Sequence, residues 1–260
     1  MLLPAYLEQG DGDTAVFMLH GVGGGKEAWA RNQPMLAAAA YRAVAWDMPG
    51  YGASPSISPC TNALLADALK ELIMHIGAKR NVLLGHSMGG MIAQEVAALY
   101  PALVHGLVLY STSPAFGKAD GAWQQQFLQS RFAPLDQGLG MAGLAEKIVP
   151  TMFAPGADPA RLAEAGALMA GIPADSYRAA LSAIVSFNRL SALTDIAVPT
   201  LCLAGELDLN APPAVLEKMA SRINGAQYAC LPGVGHIANI EQPALFNSAV
   251  LGFLKHHFST

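Results

Sequence analysis

The chain has 260 residues, 53% hydrophobic and 13% charged, with a formal net charge of -4 at pH 7, so it is long enough for one large domain with a sizeable buried core. No apolar run reaches the roughly 18 to 20 residues of a membrane-spanning helix, and the N-terminus lacks the basic start and long apolar stretch of a secretory signal, so we expect no membrane partner and a cytoplasmic location. The acidic balance, without a basic cluster, argues against a nucleic-acid partner.

The first part of the chain alternates short β-rich apolar runs with longer helical patterns, from residue 15 to about residue 113. This alternation is typical of parallel βαβ units, whose connections are right-handed. The runs predict strands at residues 15–19, 43–46, 81–84 and 107–110, and helices at residues 32–40, 62–76 and 91–100. We therefore expect a parallel sheet that is buried between helices.

The alternation stops after Pro114 and resumes near residue 200. Residues 123–187 show no convincing strand pattern and are rich in Ala, Leu and Met, with Gly and Pro breaks, which predicts a helical insertion. Beyond it we predict a strand at 200–204, a helix at 213–222, a strand at 227–231 and a closing helix at 243–257. The expected fold class is α/β: residues 1–113 and 188–260 form a mostly parallel twisted sheet flanked by helices, and residues 114–187 form an inserted helical cap.

A candidate nucleophile lies in the segment Gly85-His86-Ser87-Met88-Gly89, which has the form G-x-S-x-G between a predicted strand and a predicted helix. In a nucleophile elbow of this kind, the serine takes a strained backbone conformation at the turn. The flanking glycines let neighbouring chain approach while the serine Oγ stands clear of the sheet. Ser87 is therefore the predicted nucleophile.

A serine hydroxyl needs a general base within hydrogen-bond reach, and the base needs a group that holds its other ring nitrogen. Ligands of an open α/β sheet collect beyond the carboxyl ends of its strands, so both groups should follow late strands. His236 follows the strand predicted to end at residue 231, and Asp208 follows the strand predicted to end at residue 204. Glu206 is an alternative acid, although the Gly-x-x-Asp spacing favours Asp208.

The glycine-rich run at residues 20–25 directly follows the first predicted strand and is a candidate oxyanion loop. Its glycines let a backbone N–H approach a tetrahedral oxyanion, and the residue after the nucleophile supplies a second donor. We therefore predict that the N–H groups of Val22 and Met88 form the oxyanion hole. His20 and His86 are interpreted as structural or pocket-lining residues.

Five segments in this order resemble the landmarks of the α/β-hydrolase superfamily, namely residues 20–21, 47–54, 85–90, 205–208 and 235–236. Within that superfamily, the chain most resembles 3-oxoadipate enol-lactonases in residues 235–243, 210–213 and 153–187. The resemblance implies hydrolysis of a small enol-lactone that bears a carboxylate, through an acyl-enzyme on Ser87 and without a cofactor.

Two positions depart from the families that the chain resembles. Enol-lactonases commonly carry Trp-Phe in the cap where this chain has Met152-Phe153. Hydrolases of aromatic meta-cleavage products commonly carry Trp after the catalytic histidine, where this chain has Ile237. A carbon–carbon bond hydrolase of that kind, a general carboxylesterase and a ligand-perceiving binding module with an intact triad stay open as alternatives.

The expected partner is a small-molecule substrate, and the residues predicted to bind it are Gly21, Trp123, Met152, Phe153 and Ile237. A carboxylate substrate would need a cation, and the candidates in and beside the cap are Lys118, Arg131, Lys147, Arg161, Arg178 and Arg189. The three cysteines are far apart and lack C-x-x-C spacing, which favours neither a disulfide framework nor a zinc site, so no metal is expected. The sequence leaves open whether the protein is a monomer or a homodimer.

Overall fold

The computed structural model describes residues 3–117 and 121–259 and has a seven-stranded sheet at its centre. The strands are β1 (Tyr6–Gln9), β2 (Thr14–Leu19), β3 (Arg42–Trp46), β4 (Arg80–His86), β5 (Gly106–Tyr110), β6 (Thr200–Gly205) and β7 (Gln227–Leu231). Their order across the sheet is β1-β3-β2-β4-β5-β6-β7; β1 pairs antiparallel with β3, and the other neighbouring pairs are parallel. The predicted α/β class with a mostly parallel sheet is confirmed.

Helices cover both faces of the sheet. They are α1 (Gln33–Ala38), α2 (Asn62–Ile76), α3 (Met88–Leu99), α4 (Ala122–Asp136), α5 (Gly140–Ile148), α6 (Pro159–Ala170), α7 (Ala174–Val185), α8 (Pro213–Ala220), α9 (Ala238–Glu241) and α10 (Pro243–Phe258). Alternate residues of a strand point to opposite faces, so Phe17 of β2 packs in the cluster of α2, α3 and α8, and Val16 packs in the cluster of α1 and α10. Within the described ranges, no helix is both long and apolar enough to cross a membrane.

Helices α4 to α7 form an insertion between β5 and β6. The chain enters and leaves it through a short antiparallel stem in which Ala115 bridges to Asn188. The Arg189 N–H also donates to the Pro114 carbonyl at 2.7 Å. The insertion leaves the sheet at the carboxyl end of β5, next to the carboxyl end of β4, which pairs with it in parallel. The limits of a separate cap domain stay a prediction.

Several elements differ from the sequence-based prediction, most by one or two residues at their ends, and three differences have a clear physical reason. Strand β1 was not predicted, because it is a short edge strand whose residues are mostly exposed and show no alternation. Helix α3 begins at Met88 rather than three residues later, because Gly89 and Gly90 follow the turn as helical residues and not as a break. Helix α1 ends at Ala38, just before Ala40 adopts a left-handed conformation with φ 61°.

Candidate active site

Ser87 occupies the sharp turn between β4 and α3, with φ 52° and ψ -115°. This conformation is strained for a residue with a side chain, and such strain is typical of functional sites. A Cβ on Gly85 would lie 2.4 Å from the Gly89 carbonyl oxygen, and a Cβ on Gly89 would lie 2.1 Å from the Leu19 carbonyl oxygen. The turn therefore has the geometry of a nucleophile elbow, while the catalytic role of Ser87 stays a prediction.

Two residues of the neighbouring strand end hold this turn in place. The Ser87 N–H donates to the Tyr110 carbonyl at 3.0 Å, and the Thr112 hydroxyl donates to the Ser87 carbonyl at 2.6 Å. Thr112 also fills the space beside Gly90, where a Cβ would lie 2.6 Å from the Thr112 Cβ. Sequence reasoning did not single out Thr112; its position just after a predicted strand, at the edge where ligands collect, was the available signal.

The two predicted partners of the nucleophile are in contact. Oδ2 of Asp208 lies 2.8 Å from Nδ1 of His236, and Oδ1 accepts the N–H groups of Asn210 at 2.8 Å and Ala211 at 3.0 Å. Burial alone would raise the pKa of the Asp208 carboxyl, but the neighbouring His236 and the three hydrogen bonds outweigh burial, so the pKa is lowered. The charged carboxylate holds the proton of the imidazole on Nδ1, which makes Nε2 the nitrogen that can act as a base.

Three hydrogen bonds hold the backbone of His236. Its N–H donates to the Met152 carbonyl at 2.7 Å. Its carbonyl accepts the Tyr110 hydroxyl at 3.0 Å and Nε2–H of His86 at 2.9 Å. Burial lowers the pKa of His86 to about 3, so this imidazole is neutral at neutral pH. His86 therefore supports the loop of His236 by donating to the His236 carbonyl, which is consistent with the interpretation of His86 as a structural residue.

Two glutamates bind the N–H groups of the same loop. Glu206, the alternative acid, is exposed and accepts the Gly233 N–H at 2.8 Å. Glu241 is only 7% exposed and accepts the N–H groups of Gly235 at 2.8 Å and Ala154 at 3.0 Å. Glu206 therefore binds the backbone of the loop, whereas the His236 imidazole is in contact with Asp208. Sequence reasoning missed the role of Glu241, because a carboxylate that bonds only to backbone groups leaves no charge-pairing signal.

The candidate oxyanion loop is oriented by His20. Its Nδ1 lies 2.8 Å from the Gly21 carbonyl oxygen, and Nε2 accepts the Met48 N–H at 3.0 Å. Burial lowers the pKa of His20, so the ring is neutral and carries its proton on Nδ1. The Gly21 carbonyl and the Val22 N–H belong to one trans peptide, in which the two groups point in opposite directions. Because His20 holds the carbonyl, the Val22 N–H points away from the His20 imidazole. A Cβ on Gly21 would lie 3.1 Å from the Cβ of Ser87, so this peptide lies beside the candidate nucleophile.

The turn after β3 braces the same loop. The Tyr51 hydroxyl donates to the Val22 carbonyl at 3.0 Å. The buried Asp47 carboxylate accepts the backbone N–H of Lys26 at 2.9 Å and its ammonium group at 2.7 Å. The loop is thus tied at both ends to one turn, which favours a preorganised backbone donor. That Val22 and Met88 stabilise an oxyanion stays a prediction.

Two cavities meet at Ser87 and His236, and both are also lined by Val22 and Met152. The first has a volume of about 50 Å³ and a mainly apolar wall, which includes Trp29, Ala165, Leu168, Met169 and Ile240. The second has a volume of about 280 Å³ and an aromatic wall with one guanidinium group, which includes Phe116, Trp123, Phe127, Arg131 and Tyr177. The two cavities therefore share the serine but offer a ligand different chemistry.

The predicted binding residues divide between these cavities. Gly21 and Ile237 line the first, Trp123 lines the second, and Met152 lines both. Phe153 lines neither and is buried in the hydrophobic core at 7% exposure. Its backbone is extended, with φ -108° and ψ 157°, and consecutive side chains of an extended segment point in opposite directions. The chain therefore presents Met152 to the cavities and Phe153 to the core.

Of the predicted cations within residues 3–117 and 121–259, Arg131 lines one of the two cavities at Ser87, and it has no carboxylate partner in these ranges. Its guanidinium group lies 5.3 Å from the centre of the Phe127 ring. Three other candidates pair with carboxylates, as Arg161 does with Glu164, Arg178 with Asp136 and Arg189 with Glu95. Lys147 lines neither cavity, and Lys118 lies outside the described residues. In the part of the chain that the structure describes, no cluster of three His, Cys, Asp or Glu residues could hold a metal ion.

Comparison with known sequences identifies relatives along nearly the whole chain. The model of the alpha/beta hydrolase family matches residues 16–249. The chain is 30% identical over 265 residues to the provisionally named non-heme bromoperoxidase BpoC of Mycobacterium tuberculosis, covering 97% of this chain and 98% of the relative. It is 26% identical over 257 residues to a pimeloyl-[acyl-carrier protein] methyl ester esterase of Yersinia enterocolitica, covering 95% of each.

Solved structures show the same relationship. An esterase from Thermogutta terrifontis superposes with a TM-score of 0.88 at 26% identity, over 97% of this chain and 93% of that chain. The enol-lactonase from Burkholderia xenovorans LB400 superposes with a TM-score of 0.84 at 25% identity, over 96% of each chain. Because family model, sequence relatives and solved structures all match along most of its length, the chain belongs to the alpha/beta hydrolase family and is a hydrolase.

Proposed function

We propose that this hydrolase cleaves small esters or lactones through an acyl-enzyme on Ser87. The observation that carries the proposal is the contact of 2.8 Å between Asp208 and His236, at a cavity shared with a serine strained to φ 52°. Structural neighbours that are an esterase and an enol-lactonase support an ester or lactone as the scissile bond.

In the proposed reaction, Oγ of Ser87 attacks the substrate carbonyl carbon while Nε2 of His236 takes the hydroxyl proton. The carbonyl oxygen becomes an oxyanion that the N–H groups of Val22 and Met88 stabilise, and Asp208 stabilises the imidazolium. Collapse of the tetrahedral species breaks the bond to the leaving oxygen, which receives the proton. Water then attacks the acyl-enzyme, giving its proton to His236, and the second collapse releases the carboxylic acid and restores the serine.

Among substrates, we rank an enol-lactone that bears a carboxylate first, with 3-oxoadipate enol-lactone as the test compound. Arg131 supports this ranking, because its guanidinium group lines the larger cavity and has no carboxylate partner among the described residues. A guanidinium group binds a carboxylate through charge-assisted hydrogen bonds. The smaller, apolar cavity would then hold an uncharged part of the substrate.

A general carboxylesterase is the second candidate, and the rim of the larger cavity favours it. Trp123 and Leu209 line this cavity and are 59% and 86% exposed. Exposed apolar side chains at a cavity are typical of a surface that a ligand covers. An ester with an apolar tail would bury these side chains, and it would not need Arg131.

The decisive assay follows the ultraviolet loss of freshly prepared 3-oxoadipate enol-lactone, with spontaneous ring opening subtracted. We expect multiple turnovers by the wild-type enzyme and none by Ser87→Ala. Turnover by Ser87→Ala at the wild-type rate would overturn the acyl-enzyme. Wild-type loss at the background rate would exclude the lactone and direct the test to neutral esters and vinylogous diketones, the substrates of carbon–carbon bond hydrolases.

Arg131→Gln separates the two ranked substrates. We expect it to raise KM for the anionic lactone by roughly 10-fold or more, because a charge-assisted pair is lost, and to leave hydrolysis of neutral p-nitrophenyl acetate unchanged. Arg178→Gln is the matched control, since that guanidinium pairs with Asp136 and lines neither cavity. Equal KM values for the lactone in all three proteins would contradict the assignment of Arg131.

A further inference from the structure

The cap is joined to the loop of the candidate catalytic histidine by one backbone–backbone hydrogen bond and by the side-chain carboxylate of Glu241. The His236 N–H donates to the Met152 carbonyl at 2.7 Å. The Glu241 carboxylate accepts the Gly235 N–H on Oε2 at 2.8 Å and the Ala154 N–H on Oε1 at 3.0 Å. One carboxylate therefore spans the two segments, with one oxygen on the histidine loop and the other on the cap.

The close approach of these segments depends on the absence of a side chain at Gly235. A Cβ there would lie 2.5 Å from the Met152 carbonyl oxygen and 3.0 Å from the Ala154 nitrogen. Glu241 is 7% exposed and lies on α9, the short helix that follows the histidine. A buried carboxylate is costly unless hydrogen bonds satisfy it, and here each oxygen accepts one backbone N–H.

These contacts hold the two peptides that flank Gly235 and lead into His236, the base of the proposed reaction. Gly235 directly precedes His236, so the N–H that Glu241 holds belongs to the peptide next to the one that carries the imidazole. The neighbouring peptide N–H is held by the cap itself. Small displacements of a catalytic group are enough to cost on the order of 100-fold in rate. The position of the imidazole thus depends on a docked cap segment, and Glu241 is the side chain that fixes the docking.

We propose that Glu241 is a positioning residue of this hydrolase, which couples the cap segment 152–154 to the placement of His236. The proposal rests on the proposed function, because it assigns Glu241 to the step in which His236 moves a proton. Glu241 itself touches neither the nucleophile nor the cavities. Its removal is expected to slow the chemistry and to leave substrate binding intact.

The test compares Glu241→Gln with Glu206→Gln. Both variants turn a glutamate that accepts an N–H of the histidine loop at 2.8 Å into its amide, but only Glu241 also binds the cap. With p-nitrophenyl acetate, we expect Glu241→Gln to lower kcat by roughly 10- to 100-fold at unchanged KM. Glu206→Gln is expected to leave both constants unchanged. A wild-type kcat in Glu241→Gln, or a loss carried by KM alone, would overturn the proposal.

Hydrogen exchange of the wild-type protein keeps the proposal testable if Glu241→Gln does not fold. We expect the amides of Ala154, Gly235 and His236 to be protected by a common factor relative to their intrinsic exchange rates, because the three hydrogen bonds form one clamp between the cap and the histidine loop. Rapid exchange of the Ala154 amide beside slow exchange of the other two would overturn the clamp. Ser87→Ala is assayed in parallel: activity in that variant rejects the proposed function, whereas an inactive Ser87→Ala beside a fully active Glu241→Gln rejects only the role of Glu241.

Discussion

Replacing Asp208 by Asn tests how the carboxylate sets the tautomer of His236. Oδ1 accepts two backbone N–H groups, from Asn210 at 2.8 Å and Ala211 at 3.0 Å, while Oδ2 faces Nδ1 of the imidazole at 2.8 Å. In the variant, the single amide oxygen stays with the two N–H donors, because an NH₂ group cannot accept from them. The NH₂ group then faces Nδ1, which must act as an acceptor, so the ring proton moves to Nε2 and the base is lost.

The expected loss is large because it affects every proton transfer in the cycle. We expect kcat of Asp208→Asn to fall by about 10³- to 10⁴-fold, equivalent to about 4 to 5 kcal/mol of transition-state stabilisation. Steady-state hydrolysis of p-nitrophenyl acetate measures this, with circular dichroism to verify the fold. Glu206→Gln is the control, since its carboxylate bonds to Gly233 and should be dispensable. An Asp208→Asn enzyme that keeps more than about a tenth of wild-type kcat would refute the reasoning.

Three further predictions concern residues that shape the site, and a fourth concerns a control glycine outside it. His20→Gln is expected to lower kcat by about 10- to 100-fold at unchanged KM, because it frees the peptide that carries an oxyanion donor; wild-type kinetics would contradict this. Gly89→Ala would place a Cβ 2.1 Å from the Leu19 carbonyl oxygen, and in urea unfolding we expect it to cost about 3 kcal/mol or more. Gly252→Ala is the control, because a Cβ there lies in open space on α10. We expect it to raise the free energy of unfolding by about 0.5 to 1 kcal/mol. The pKa of His86 is lowered from 6.5 to about 3, so on acidification the unfolded chain binds a proton that the folded one does not, and stability falls below pH 6.5. Between pH 7 and pH 5 this amounts to about 2 kcal/mol, which should be missing from the pH dependence of His86→Asn; an identical pH dependence would refute it.

Helix α2 has strong signals at both ends and was predicted with its correct bounds. Helix α2 begins after Thr61, whose side chain accepts the Leu64 N–H, and it ends at Gly77, which adopts φ 63°. Both are local signals that a sequence displays directly. Strand β1 has no comparable signal, because its pairing with β3 is decided by contacts distant in sequence. Local chemistry was therefore sufficient for α2 and insufficient for β1.

The same division holds for the candidate site. The side chains of Asp208 and His236, which the sequence pattern paired, are in contact in the structure. The bonds that hold the histidine backbone were not predictable, because the Met152 carbonyl reaches it only through the docking of the cap. The choice among cations likewise required the fold, since Arg189 is engaged by Glu95, which lies on a different element. Motifs thus identify candidate reacting groups, whereas the residues that support them depend on tertiary packing.

The most direct test of Ser87 as the nucleophile is intact-protein mass spectrometry after reaction with a phosphonate ester, which forms a stable adduct with an activated serine. We predict a single adduct on the wild-type chain, located by peptide mapping at Ser87, and no adduct on Ser87→Ala. His236→Gln should react far more slowly, because Oγ then lacks its base. An adduct at a different residue, or equal labelling of Ser87→Ala, would contradict the proposed acyl-enzyme.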